Sequence, residues 1–185
     1  MGYAIAERLA EQGAKVILVS GPTALKISHE NIKRIDVTSA NEMYEAAHNA
    51  FKDCDGAVMS AAVADFTPVV VADKKVKREK ENYHIELTPT QDIAASLGAI
   101  KKDNQVLVGF ALETNDEEYN ATKKLAKKNL DFIVLNSMND KGAGFQVDTN
   151  KITIIDRNNN KQEFELKTKK EVAIDIVNKI IDTVK

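Results

Sequence analysis

The sequence predicts an α/β fold, a Rossmann-like doubly wound sheet with a β-hairpin at its C-terminal end. Three observations carry this. Short apolar, β-branched runs alternate with longer stretches of helical period along most of the chain. The runs at residues 15–20 and 105–110 are apolar nearly throughout, as strands covered on both faces are. Near the end the rhythm changes, and two strand-like runs flank Arg157-Asn158-Asn159-Asn160, residues suited to a hairpin turn.

Taken in order, Ile5, Leu9 and the alanines of the first 13 residues recur at helical spacing, and Gly13 is a natural C-terminal cap. Residues 15–20 form a buried strand bounded by Gly21-Pro22, and residues 32–37 a second. A helix starts in Thr38-Ser39-Ala40-Asn41-Glu42, with a hydroxyl placed to cap it, and runs to about Phe51. Residues 55–62 read as a strand, 65–81 as a charged loop, 83–87 as a short strand leading to the turn Thr88-Pro89-Thr90-Gln91, and 92–100 as a helix. A strand over 105–110, a polar-faced helix over 115–128 and a strand over 131–136 follow. The hairpin strands are 151–156 and 162–166, and a helix over 170–184 closes the chain. With no internal repeat and no linker, residues 1–185 read as one domain.

A doubly wound fold normally opens with a strand whose glycine loop feeds a phosphate-binding helix N-terminus. This sequence opens inside such a helix, at Met1-Gly2. Either the fold starts with a helix, or the first strand and phosphate loop are missing and a gap in the sheet or an exposed edge stands in their place.

A net charge of -2 gives no global attraction for nucleic acid. The single cysteine, Cys54, excludes an intramolecular disulfide and a multi-cysteine zinc site; between Asp53 and Asp55 its thiol pKa is raised, which suits a packing residue. His29, His48 and His84 are too scattered for a histidine metal site. No run of 18 apolar residues and no signal-peptide pattern occurs, so the reading is a cytoplasmic protein without a membrane partner.

Four segments carry candidate chemistry. Ser60-Ala61-Ala62-Val63-Ala64-Asp65-Phe66 lies where an apolar strand ends, at the sheet edge where open α/β folds bind ligands. Its small residues admit a flat base or ribose, and Asp65 either accepts hydrogen bonds from a ligand or caps the loop. Lys74-Lys75-Val76-Lys77-Arg78 is a magnet for a polyanion or a solvated basic loop. Lys124 and Lys128, four apart on one helix face, repel each other unless an anion sits between them, or are simply exposed. Phe110, in Val108-Gly109-Phe110-Ala111-Leu112-Glu113-Thr114, is either a shelf for a nucleobase or core packing. A competing pattern is Tyr119-Asn120-Ala121-Thr122-Lys123, the Tyr-x-x-x-Lys pair of short-chain dehydrogenases, together with the acidic turn Asp36-Val37-Thr38.

In their order, several segments together resemble the CTP-dependent phosphopantothenoylcysteine synthetases (phosphopantothenate–cysteine ligases) of coenzyme A biosynthesis. They are Gly2-Tyr3-Ala4-Ile5-Ala6, Val19-Ser20-Gly21-Pro22, Ala61-Ala62-Val63-Ala64-Asp65-Phe66, Lys75-Val76-Lys77-Arg78, Gly109-Phe110-Ala111-Leu112-Glu113-Thr114, Lys128-Asn129-Leu130-Asp131, and Asn136 with Gly144-Phe145. The resemblance covers nearly the whole chain. It implies a ligase that joins 4'-phosphopantothenate to cysteine through an acyl-cytidylate made from CTP, with Mg2+, as a homodimer, in some members fused to a flavin-dependent decarboxylase domain. It implies nucleotide contacts from Met59, Ser60, Ala61, Asp65, Thr88, Pro89, Thr90, Gln91, Phe110, Lys124 and Lys128, a catalytic flap lysine at Lys75 that also meets the nucleotide, and a metal role for Asp92. The family has a Lys-Asn pair where Pro89-Thr90 stand, and an Asn-x-Ser-Ser-Gly-Lys stretch just before the residues matching Met1-Gly2. Without that stretch, the expectation is weak CTP binding and little or no turnover. The dehydrogenase reading and a non-catalytic nucleotide-binding fragment stay open beside the ligase.

Overall fold

The computed structural model describes residues 1–77, 82–113, 115–137 and 147–184. Helix α1 (Gly2–Glu11) buries Ile5, Ala6 and Ala10, three positions that fall on one face at helical spacing. Gly13 then takes φ +87°, a conformation costly for a residue with a Cβ, and the chain turns into β1 (Val16–Ser20). Strand β2 (Ile32–Asp36) pairs with β1 in parallel. Helix α2 (Ala40–Phe51) is capped by Ser39, whose hydroxyl accepts from the Glu42 amide, while the Glu42 carboxylate accepts from the Thr38 amide at 2.6 Å. Such paired caps stop the first turn of a helix from fraying.

Strand β3 (Gly56–Met59) leads to β4 (Phe66–Pro68) and β5 (Leu87–Pro89), which pair antiparallel as a two-stranded arm. Helix α3 (Ile93–Ile100), β6 (Val106–Glu113), α4 (Glu117–Lys127) and β7 (Phe132–Ser137) continue the alternation. The chain ends with β8 (Thr149–Asn150), β9 (Thr153–Asp156), β10 (Lys161–Glu163), β11 (Lys167–Thr168) and α5 (Lys169–Val184).

The main sheet runs in the order β10-β9-β7-β6-β3. Its β3, β6 and β7 are parallel, and the expected hairpin of β9 and β10 adds on antiparallel. The period-two rule sorts the core. Val106, Val108, Phe132, Val134 and Ile154 face α1 and α5, where Val172, Ala173, Ile176 and Val177 meet them. Leu107, Ala111, Ile133, Leu135 and Ile155 face α2, α3 and α4, against Phe51, Ile93, Leu97 and Leu125. Helices therefore cover both faces, as a doubly wound sheet requires.

The expected break in the sheet is present. Among the described residues β1 pairs with β2 alone and β3 with β6 alone, so the first two strands form a sheet of their own. The carboxyl ends of β1 and β3 both reach the start of α1. Tyr3 and Ser20 share a hydrogen bond of 2.8 Å, and a Cβ on Gly2 would lie 2.7 Å from the Ser60 hydroxyl oxygen.

Several boundaries differ from the sequence reading. The strand expected over 55–62 stops at Met59, and the small residues after it run in irregular backbone. The loop expected over 65–81 contains β4, and the strand expected over 83–87 shifts to Leu87–Pro89. Thr88 and Pro89 are therefore ladder partners of Thr67 and Phe66 rather than turn residues. The arm is exposed on both faces, so no apolar alternation advertises it. Among the described residues, no helix is long and apolar enough to cross a membrane.

Candidate functional site

The carboxyl ends of β3 and β6, the loop after β3, the first turn of α3 and the last turn of α4 enclose a groove of about 210 Å³. Met59, Ala61, Val63, Ala64 and Asp65 line it from the β3 side, and Thr90, Gln91, Asp92, Ile93 and Ala94 from the start of α3. Gly109, Phe110, Leu130 and Ile133 form the sheet side, and Lys124 and Lys128 come from α4.

The two loops at the mouth are tied together. The Thr90 hydroxyl donates to the Ala64 carbonyl at 2.7 Å, and the Thr90 amide to the Asp65 carbonyl at 2.9 Å. Helix α3 is in turn held against α2, where the His48 ring stacks on Tyr44 and its Nε2 lies 2.8 Å from Ser96 Oγ. The floor is apolar because β6 and β7 present alternate residues to this face. Gly109 leaves room for Leu130, since a Cβ there would lie 2.4 Å from Leu130 Cδ1.

Asp92 is the N-cap of α3, its Oδ1 accepting from the Ala95 amide at 3.1 Å and from Lys128 Nζ at 3.0 Å. Burial pushes the Asp92 carboxyl up, but the Ala95 amide, the Lys128 hydrogen bond and charge, and Lys127 outweigh it and hold the pKa below the ordinary carboxylate value. Asp92 therefore stands charged beside Lys128. The mutual repulsion expected of Lys124 and Lys128 is met in part by this carboxylate, so an external anion is not required to explain their spacing. Among the described residues no group of three or more His, Cys, Asp or Glu side chains could hold a metal ion.

The groove thus gathers Met59, Ala61, Asp65, Thr90, Gln91, Asp92, Phe110, Lys124 and Lys128. Phe110 also packs, half-buried, against the cluster under α1 and α5, as its packing reading had it. Ser60, Thr88, Pro89 and Lys75 are not brought into the groove. Ser60 turns toward Gly2, Thr88 and Pro89 belong to β5, and Lys75 is exposed between the arm strands. Arg78, Thr114, Gly144 and Phe145 lie outside the described residues. Sequence reading missed the apolar floor of Ile93, Leu130 and Ile133; alternation along β7 could have marked Ile133, whereas Ile93 opens α3 and Leu130 stands in the turn before β7, where no period points to the groove.

Tyr119 of the competing Tyr-x-x-x-Lys pattern lies elsewhere. It borders a shallow depression with Glu118, Thr122, Ile155, Asn159 and Lys161, and shares no lining residue with the groove. Asp36, the acidic turn of that pattern, is ion-paired with Arg34. Burial, then Asp55 and Asp53, push the Cys54 thiol up, as its neighbours in sequence implied.

Residues 1–184 match the model of the family described as DNA/pantothenate metabolism flavoprotein C-terminal domain. The chain is 58% identical over its full length to a cysteine/cysteine sulfinic acid decarboxylase from an unknown prokaryotic organism, covering 51% of that protein. It is 45% identical to the coenzyme A biosynthesis bifunctional protein CoaBC of Bacillus subtilis (strain 168), over 97% of this chain and 44% of that one. A crystal structure of the C-terminal domain of a coenzyme A biosynthesis bifunctional protein CoaBC superposes with a TM-score of 0.79 at 40% identity, covering 97% of this chain and 79% of that one. The chain spans about half the length of these two curated relatives.

Proposed function

The chain belongs to the family of the DNA/pantothenate metabolism flavoprotein C-terminal domain, and from that premise we propose that it is the ligase part of a phosphopantothenate–cysteine ligase in coenzyme A biosynthesis. The observation that carries this reading is the groove, where small residues at the end of β3, the Phe110 ring and two lysines of α4 meet. Small residues admit a flat base, and lysines receive phosphate oxygens.

In this reading the pantothenate carboxylate oxygen attacks the α-phosphorus of CTP, forming one P–O bond as the bond to pyrophosphate breaks. The free amine of cysteine then attacks the acyl carbon. A C–N bond forms, the acyl C–O bond breaks, CMP leaves, and the amine gives up a proton. The attack joins two anions, so what the protein supplies is positive charge and orientation. The groove is smaller than closed ligand pockets of roughly 300–1,000 Å³, so it takes the base and ribose while the phosphates extend past its mouth. Lys124 and Lys128 meet the near phosphates. Lys75, exposed in the segment between the arm strands, is given the role of closing over the acyl-cytidylate.

Magnesium fits this donor set in one way only. Mg2+ commonly keeps its waters and binds one or two carboxylates plus substrate phosphates, and Asp92, with Asp65 at the mouth, offers that much and no closed cage. When bound it neutralises triphosphate charge. Homodimerisation is supported by the arm and its flank in sequence, where Phe66, Val70, Val71, Tyr83, Ile85 and Leu87 are each exposed. In this reading the decarboxylation named for one relative belongs to the half of that protein this chain does not cover, not to this groove.

Release of pyrophosphate from CTP with phosphopantothenate tests the reading, in this chain and in any longer form of it. Lys124→Ala is expected to weaken CTP binding about tenfold or more, the scale of a charge-assisted hydrogen bond. Lys75→Ala is expected to lower turnover with CTP binding largely kept. Unchanged activity in both variants would remove these lysines from the site. The dehydrogenase alternative lost its support when Tyr119 fell outside the groove; stabilisation by NAD(P) and not by CTP would restore it.

A further inference from the structure

Lys128 sits in the C-cap of α4, and the chain reverses immediately after it. Asn129 takes φ +51°, the left-handed conformation that ends a helix. Three residues in a row, Asn129, Leu130 and Asp131, are then gripped by one side chain from the far hairpin turn. Arg157 Nε donates to the Leu130 carbonyl at 2.8 Å. Its Nη2 donates to the Asn129 carbonyl at 3.1 Å and to Asn129 Oδ1 at 2.9 Å, and lies 3.2 Å from Asp131 Oδ1.

The grip passes on to α3. Asn129 Nδ2 donates to the Gly98 carbonyl at 2.8 Å. Gly98 approaches so closely that a Cβ there would lie 2.0 Å from the Lys128 carbonyl oxygen. At the other end of α3, Asp92 holds Lys128 Nζ at 3.0 Å. The last turn of α4 is therefore pinned from one side by Arg157 and from the other by both ends of α3. Arg157 does not line the groove.

We propose that Arg157 is a positioning residue of the groove, which sets where the Lys128 ammonium stands by locking the reversal at Asn129. This rests on the reading of the groove as a nucleotide site. A planar guanidinium donating to consecutive acceptors fixes direction as well as distance, which an ammonium on a flexible stem does not.

The experiment is a double-mutant cycle on affinity, with CTP and magnesium as the probe and nuclear magnetic resonance titration of this chain as the readout. Arg157→Ala is expected to weaken binding roughly three- to tenfold, the scale of coupling within one contact network. In a Lys128→Ala background the same change is expected to cost nothing further, because its effect passes through the lysine. Arg157→Lys should fall between wild type and alanine. If Arg157→Ala does not fold, Asn129→Gly carries the test, since glycine keeps the left-handed backbone and removes the side-chain bonds, and it too should weaken binding only when Lys128 is present. Equal losses with and without Lys128, or no loss at all, overturn the proposal while leaving the nucleotide site intact. A wild-type chain that binds no CTP overturns the nucleotide reading first, and this proposal with it.

Discussion

At the scale of single residues, two carboxylates are committed to structure rather than to the groove. Asp131 follows a lysine motif, yet its Oδ2 accepts from the Leu107 amide and from Lys101 Nζ, each at 2.7 Å, which makes it a brace between β6 and β7. Asp156 does similar work at the hairpin turn. Its Oδ1 accepts from the amides of Asn158 at 3.0 Å and Asn160 at 3.1 Å, and Lys179 Nζ donates to its Oδ2 at 3.2 Å. Burial pushes the Asp156 carboxyl up, but the bonds from Asn160, Lys179 and Asn158 outweigh it and hold the pKa below the ordinary value. A carboxyl whose pKa is lower folded than unfolded binds fewer protons in the native state. Its contribution is therefore full above the ordinary carboxylate pKa of about 4 and is lost as pH falls through the lowered folded value. Asp156→Ala is expected to cost about 1–2 kcal/mol at neutral pH. Its deficit relative to wild type should shrink in acid. Urea unfolding across the acid range checks this, and a deficit independent of pH would mean that the carboxylate charge plays no part.

At the scale of elements, the central strands and long helices were readable because each has one face or two to bury, which writes a period into the sequence. Strands β6 and β7 and helices α2 and α5 fall within a few residues of their predicted spans. The arm of β4 and β5 buries neither face and left no period, and the two-residue strands β8 and β11 are too short to show one. The site followed the same logic. The residues at the end of β3, Phe110 and the α4 lysines were legible from their place at a strand end or on a helix face. The pairing of Asp92 with Lys128 was not, because it depends on how closely α3 approaches α4. Gly98 sets that approach, and this makes it testable. Gly98→Ala would drive a Cβ into the Lys128 backbone carbonyl at 2.0 Å, so the helices must part. The cost is expected at about 1–3 kcal/mol, as for other overpacked contacts, despite the better helix propensity of alanine. A melting temperature equal to or above that of wild type would show that α3 shifts without strain.

At the scale of the whole molecule, the divided sheet should govern where the protein opens. Strands β6 and β7 have a hydrogen-bonded neighbour on each side and helices on both faces, and Val108, Phe132, Ile133 and Val134 are at most 1% exposed. Among the described residues β1 and β2 pair only with each other, and Ile17 is 41% exposed. A two-stranded sheet by itself is marginal in water, so β1 and β2 depend on α1 and α2 for their hold on the rest. Helix α1 provides it, since Ile5 is buried in the same cluster as Val106, Val108 and Phe132. Local openings are drawn from units with few buried contacts and exposed backbone hydrogen bonds. Amide hydrogen exchange should therefore show β1 and β2 opening as a unit, about a hundredfold or more faster than β6 and β7. Ile5→Ala cuts the tie between the units, and is expected to speed exchange in β1 and β2 well before it changes β6 and β7. Equal protection across all four strands, or equal acceleration by Ile5→Ala, would mean that the two sheets unfold together and that the break between them has no energetic consequence.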